Sequence, residues 1–155
     1  MKEIQLTKGK VALVDDEDFE YLNQWKWRCL NGYAKRNDPI GNGKYKDVAM
    51  QNQIMKPPPG FVVDHADNNK LNNQKSNLRI CTYSQNLANR KIFSTNTTGY
   101  KGVSIDKKCK HRKWYAQIKC KVIGYFDNPI DAARAYDAKA LEMYGDFARL
   151  NFPNK

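Results

Sequence analysis

The chain holds only two histidines, and one of them, His65, directly follows an acid, Asp64, inside an Asn-rich, basic run that also carries Asn77, Asn86 and Asn89. Phosphodiester hydrolysis needs a water stripped of a proton, a cation to offset charge on the phosphate, and help for the leaving oxygen. His65 can take the proton, because a neutral imidazole is available near pH 7 and nearby positive charge keeps it neutral. Asp64 offers a hard oxygen ligand for Mg²⁺ or a similar ion. A carboxamide oxygen from a following helix can be a second, with water and phosphate filling the remaining positions. So few protein ligands suit one metal better than a two-metal clamp. Asn77 can fix the imidazole through its other ring nitrogen, the support a base needs. A plainer reading stands beside this one: Asp-His pairs at strand ends are usually structural, and Asn-rich runs are usually turns.

These residues require a strand, a loop, a second strand and a helix to bring them together. Phe61-Val62-Val63 is a short apolar strand that ends in Asp64-His65, and Ala66 to Gln74 is a loop of Asn and Asp, types that tolerate turn conformations. Asn77 to Cys81 reads as the second strand. Thr82-Tyr83-Ser84-Gln85 fits a capping box, so a helix is expected from there to about Lys91, with Asn86 near its start and within reach of Asp64.

Upstream, residues 1 to about 60 read as a small β-rich module. Lys10 to Val14 is a strand, and Asp15 to Asp18 start a helix that runs through Phe19 to Trp25, since early acids suit the positive end of a helix. Trp25, Trp27 and Tyr33 fall in a strand-like stretch with its turn at Asn31-Gly32, and are read as core. Asp38 to Gly43 is a turn or loop, and Pro57-Pro58-Pro59-Gly60 delivers the chain, extended, into the motif.

Downstream the composition changes. Between residues 101 and 121 eight Lys and Arg face one acid, Asp106. Three short strands are expected at Tyr100 to Ile105, Trp114 to Cys120 and Val122 to Phe126. A helix follows, with Asn128 at its cap, Pro129 in its first turn and Gly145 after its end. Its Ala133, Tyr136, Ala140 and Tyr144 form a small-residue face for packing on a sheet. The fold class is therefore α+β: a β-rich N-terminal module, a strand-loop-strand-helix centre, and a C-terminal three-stranded antiparallel sheet packed on one helix.

A net charge of +11 with a pI near 9.5 points to a polyanionic partner, and aromatics interleaved with Lys and Arg favour nucleic acid over a membrane surface. Hydrophobic residues make up 41%, enough to fold. No apolar run approaches the roughly 20 residues that span a bilayer, and no signal-peptide core is present, so a cytoplasmic protein is expected, in the host cell if it is phage-encoded. Cys29, Cys81, Cys109 and Cys120 form no CxxC pair and are read as reduced thiols, without a zinc site.

Val63-Asp64-His65, Asn77-Leu78-Arg79 and the Asn86/Asn89 helix resemble the ββα-metal motif of HNH endonucleases, in the Asp-His…Asn…Asn form typical of phage and intron-homing enzymes. The resemblance extends upstream through Lys8-Gly9-Lys10-Val11-Ala12-Leu13-Val14-Asp15-Asp16. It implies an endonuclease domain over 1–92, with the motif at 61–92, in which His65 is the general base and Asn77 orients it. Asp64 and Asn86 hold one divalent metal, Mg²⁺ with Mn²⁺ as the alternative, and Asn89 is the fallback ligand. Where relatives often carry a His-Arg pair, this chain has Gln51-Asn52.

After a linker at 93–98, residues 99–155 resemble the AP2/ERF DNA-binding domain in Tyr100-Lys101-Gly102-Val103, Lys113 to Ile118, Gly124-Tyr125-Phe126, Ala132 to Asp137 and Leu150-Asn151-Phe152-Pro153. The resemblance implies double-stranded DNA as partner, contacted by Lys101, Lys113, Gln117, Lys119 and Lys121 on the sheet, with Arg79 and Arg90 beside the motif. Ser104 stands where plant members use Arg, and Val122 where they often use Trp, so different base specificity is implied. Trp114 and the Tyr125-Phe126 pair are read mainly as core. One catalytic motif and one unlike binding module have no built-in two-fold symmetry, so a monomer that nicks one strand is expected. The alternative is a DNA-binding protein that keeps the scaffold without cleaving.

Overall fold

Val11-Ala12-Leu13-Val14 alternates half-buried and buried side chains and forms β2 (Val11–Val14), paired antiparallel with β1 (Lys2–Gln5). In the computed structural model, which describes residues 1–111 and 113–153, this hairpin belongs to the first of two compact units, Met1–Asn86 and Leu87–Lys155. Arg112 of the basic run, Asn154 and Lys155 lie outside the described residues. Residues 93–98 fall within the second unit.

In the first unit α1 (Asp16–Leu22) begins on three acids, whose charge suits the positive helix end. It stops at Asn23, ahead of the expected Trp25, and Trp25 lies outside the helix. A three-stranded meander follows, β3 (Arg28–Leu30), β4 (Tyr33–Gly41) and β5 (Lys44–Ala49), in the order β3-β4-β5. Asn31 and Gly32 make the β3–β4 turn with φ of 53° and 83°, the positive values such a tight turn requires. The expected loop at residues 38–43 is mostly strand, and only Asn42-Gly43 turns. Pro39 is tolerated because β3 pairs only with Tyr33 to Lys35, which leaves the Pro39 side of β4 an open edge, and a register irregularity follows it. α2 (Met50–Met55) then leads to the hairpin of β6 (Val62–His65) and β7 (Leu78–Cys81), and α3 (Tyr83–Ala88) comes after it.

The core of this unit gathers Ile4, Leu6, Ala12, Val14, Leu22, Trp27, Ala34 and Met50. Trp27 is core as expected, and its indole N–H donates to the Leu22 carbonyl at 2.8 Å. Trp25 packs against the core's edge, with the Arg36 guanidinium 3.7 Å above its ring.

The second unit is an antiparallel sheet of β8 (Val103–Ile105), β9 (Trp114–Ile118) and β10 (Lys121–Phe126), covered on one face by α4 (Pro129–Tyr144). The helix is bounded as the sequence indicates: Asn128 Oδ1 accepts from the Asp131 N–H at 2.9 Å, Pro129 opens the first turn, and Gly145 follows the end. Its Ala132, Ala133, Tyr136 and Ala140 pack on Val103, Ala116 and Ile118. Gly102 has no substitute here, since a Cβ would lie 1.9 Å from the Tyr136 ring at a φ of +72°. The buried Asp137 carboxylate accepts from the Asn151 and Phe152 backbone N–H groups, each at 2.8 Å, and so fastens the terminal segment onto α4. Among the described residues no helix is long and apolar enough to cross a membrane.

Candidate active site

The β6–β7 register pairs Asp64 with Arg79 and His65 with Leu78. Side chains alternate along a strand, so Asp64 shares a face with Arg79 and Cys81 while His65 points to the other. Both residues are 5% exposed.

On the Asp64 face, Arg79 Nη2 donates to Asp64 Oδ2 at 2.5 Å. Burial pushes the Cys81 thiol pKa up and the Asp64 charge acts in the same direction, against the Arg79 charge and the backbone N–H groups of Asn86 and Asp64. α3, which carries Asn86, starts where the capping box puts it, and the Asn86 N–H donates to the Thr82 carbonyl at 3.0 Å. Thr82 N–H donates to Gln85 Oε1 at 2.9 Å, and Gln85 N–H returns to Thr82 Oγ1 at 3.3 Å. The helix ends at Ala88, short of the expected Lys91, so the fallback ligand Asn89 lies just past it and is buried.

On the other face the imidazole partner is Asn73, whose Oδ1 lies 3.3 Å from His65 Nε2. This corrects the expectation for Asn77. Asn77 Oδ1 accepts from the Asp67 N–H at 3.0 Å and its Nδ2 donates to the Asn72 carbonyl at 2.8 Å, so its amide ties the two ends of the loop together and does not orient the ring. The physical reason is placement. Asn77 O accepts from Ala66 N–H at 2.9 Å at the loop's neck, where its side chain turns inward on loop backbone. Tyr33 stands beside the imidazole at a centroid distance of 6.0 Å, and Lys70 Nζ sits 4.4 Å over the Tyr33 ring. Burial holds the His65 pKa below its ordinary value, and the Lys70 charge adds to this, while the Asn73 hydrogen bond and the charges of Asp67 and Asp64 oppose it. The ring is accordingly neutral near pH 7, as a proton acceptor must be.

The expected DNA contacts divide. Arg90, Lys113, Lys119 and Lys121 are exposed. Lys119 Nζ lies 5.5 Å over the Tyr144 ring, and Gln117 is half-buried, its Nε2 donating to Ser104 Oγ at 3.5 Å. Lys101 is a correction. Its ammonium binds the carbonyls of Ala88 and, at 2.9 Å, Arg90, so it is committed to backbone inside its own unit. Burial and the Arg149 charge push its pKa down to about 8, against the pull of Asp137. Arg79 is likewise held on Asp64. Tyr125 is a second correction: Phe126 joins the core, but Tyr125 is exposed and pairs with Tyr115 at 5.8 Å on the sheet face away from α4. Neighbouring residues of a strand point to opposite faces, so Tyr125 and Phe126, paired with Tyr115 and Trp114, cannot both enter the core.

A family model described as HNH endonuclease matches residues 56–88, the segment that runs from before β6 to the end of α3. The chain is 31% identical over 153 residues to an uncharacterized HNH endonuclease of Acanthamoeba polyphaga mimivirus, a match covering 96% of this chain and 76% of the relative. It is 41% identical over 93 residues to protein 3.8 of Escherichia phage T7, covering 59% of this chain and 77% of that protein. No solved structure matches. A strand-loop-strand-helix with Asp64 and His65 at the strand end, matched by the family model and by a relative alike along nearly the whole chain, places this protein in the HNH endonuclease family.

Proposed function

We propose that the chain is a metal-dependent DNA endonuclease of the phage and homing type. It hydrolyses one phosphodiester bond of double-stranded DNA and acts as a monomer in the cytoplasm. The observation that carries this reading is the buried Asp64-His65 pair at the end of β6, on a hairpin followed by α3, within the segment that the HNH endonuclease family model matches.

The donor set fits a hard divalent cation. Asp64 offers a carboxylate from the end of β6 and Asn86 a carboxamide oxygen from α3, and such sparse oxygen ligation suits Mg²⁺, with Mn²⁺ as the alternative. When bound, the metal offsets charge on the phosphate and on the leaving oxygen. His65 removes the proton from the attacking water. The Asn77-tied loop keeps the strand end, and with it His65, in place. Arg79 holds the Asp64 carboxylate in one orientation.

The second unit positions the DNA in the manner of an AP2-like module, with Gln117 and Lys121 on the sheet, Lys113 and Lys119 at the ends of β9, and Arg90 as the contacts. Supercoiled plasmid incubated with the protein and Mg²⁺ is expected to give the nicked circle first. Linear product arising without a nicked precursor would count against single-strand cleavage.

The lysines make a separate prediction. Lys121→Ala should lower the slope of log affinity against log salt by about one unit, whereas Lys101→Ala should leave the slope unchanged and cost stability, because its charge is spent on two carbonyls. Equal slope changes for the two variants would place Lys101 back on the DNA.

The Arg79–Asp64 pair is the one observation that favours a second reading, in which the scaffold binds DNA without cutting it, the guanidinium standing permanently where a cation would. Absence of cleavage on any duplex, with binding intact, would support that reading.

A further inference from the structure

We propose that Asn73 is the positioning residue of His65: its side-chain oxygen fixes the imidazole as the tautomer protonated on Nε2, which puts the lone pair for proton abstraction on Nδ1. This rests on the reading of His65 as the base.

The assignment follows from which end of the Asn73 amide faces the ring. Asn73 is fully buried, at 0% exposure. Its Nδ2 donates to the Leu71 carbonyl at 3.3 Å, so Oδ1 is the end that meets His65 Nε2, also at 3.3 Å. A carboxamide oxygen only accepts, so the ring nitrogen opposite it must carry a proton. The neutral ring that a base presents has one N–H, and it is therefore spent on Nε2.

Asn73 can impose this because its own position is set from elsewhere in the chain. Its backbone N–H donates to Leu13 O at 2.8 Å, and Leu13 N–H donates to Leu71 O at 2.8 Å, so the loop docks on β2 as a short parallel ladder. Asp15, at the end of β2, extends the clamp. Its carboxylate accepts from Gln74 Nε2 at 3.2 Å and from Lys75 N–H at 2.8 Å. Leu13 and Asp15, at the end of the N-terminal hairpin, thus fix the partner of a base about fifty residues away.

The tautomer is read directly by imidazole ¹⁵N–¹H correlation spectra of the full-length, metal-free protein, in which only His65 and His111 contribute. Wild-type protein should show His65 protonated on Nε2 alone, with that proton protected from solvent exchange. Asn73→Ala should lose the protection and show averaged tautomers. Asn73→Asp, which keeps an acceptor, should retain the Nε2–H form. In cleavage assays Asn73→Ala should lower kcat by roughly 10- to 100-fold with KM for duplex little changed, the usual scale for loss of a supporting partner. Asn73→Asp should keep most of the rate.

A wild-type spectrum protonated on Nδ1 overturns the proposal, whether or not the variants fold. So does an Asn73→Ala spectrum identical to wild type. Wild-type protein that shows the Nε2–H form and cleaves no duplex would overturn the reading of His65 as base while leaving the tautomer assignment standing.

Discussion

On the reading of His65 as the general base, His65→Ala is expected to lower the rate of plasmid nicking by about 10³-fold with duplex affinity within a few-fold of wild type, since a positioned general base contributes typically about 10²- to 10⁴-fold. The imidazole is nearly covered, faces Asn73 and stands beside Tyr33, all within the first unit, so its removal leaves a small cavity there. Cleavage by His65→Ala at a rate near wild type would remove it from the mechanism. Loss of binding in step with activity would mean that the variant had lost the loop and not only the base.

The same residue sets a pH dependence whose sign is fixed. Burial, the largest influence, lowers the His65 pKa from 6.5, helped by Lys70 and opposed by Asn73, Asp67 and Asp64. The neutral form, which can accept a proton, therefore persists to a lower pH than in a free histidine. The acid limb of the rate profile should lie below pH 6.5, and Lys70→Ala should move it upward. Stability runs in the same direction: below pH 6.5 the unfolded chain takes up this proton more readily than the folded one, so the imidazole's contribution is lost as pH falls through that window.

The second large effect is at Asp64. Asp64→Ala should abolish detectable cleavage at any Mg²⁺ concentration, because the remaining carboxamide is too weak a ligand to hold the cation alone. It should also cost about 2 kcal/mol of folding stability. Removing one partner of a buried pair typically costs about 3–5 kcal/mol, and the Arg79 side chain, 24% exposed, recovers part of that by hydration. EDTA should abolish cleavage without that loss, since Arg79 continues to balance the carboxylate. The double variant Asp64→Ala, Arg79→Ala should regain part of the stability and none of the activity, as measured by urea unfolding and plasmid nicking. Robust cleavage by Asp64→Ala would exclude it as a metal ligand, and an unchanged unfolding midpoint would exclude the ion pair as a stabilising contact.

What the sequence alone determined here is what neighbouring residues encode. The adjacency of Asp64 and His65, the Thr82–Gln85 capping box that starts α3, the Asn31-Gly32 turn and the Asn128-to-Gly145 bounds of α4 all depend on groups within about one turn of each other, and each was legible from residue type and spacing. Partner choice was not. Asn72, Asn73 and Asn77 read alike as turn formers, yet only the docking of their loop on Leu13 and Asp15, 58 to 60 residues away in sequence, turns Asn73 toward the imidazole and Asn77 toward loop backbone. Lys101 reads as one more cation in a basic run until Ala88 and Arg90 bring their carbonyls to it, and Arg79 reads as a DNA contact until the strand register sets it opposite Asp64. A buried hydrogen bond or ion pair forms only where folding removes water from both partners and fixes their separation, so its identity is decided by tertiary packing and not by the types of the residues that make it.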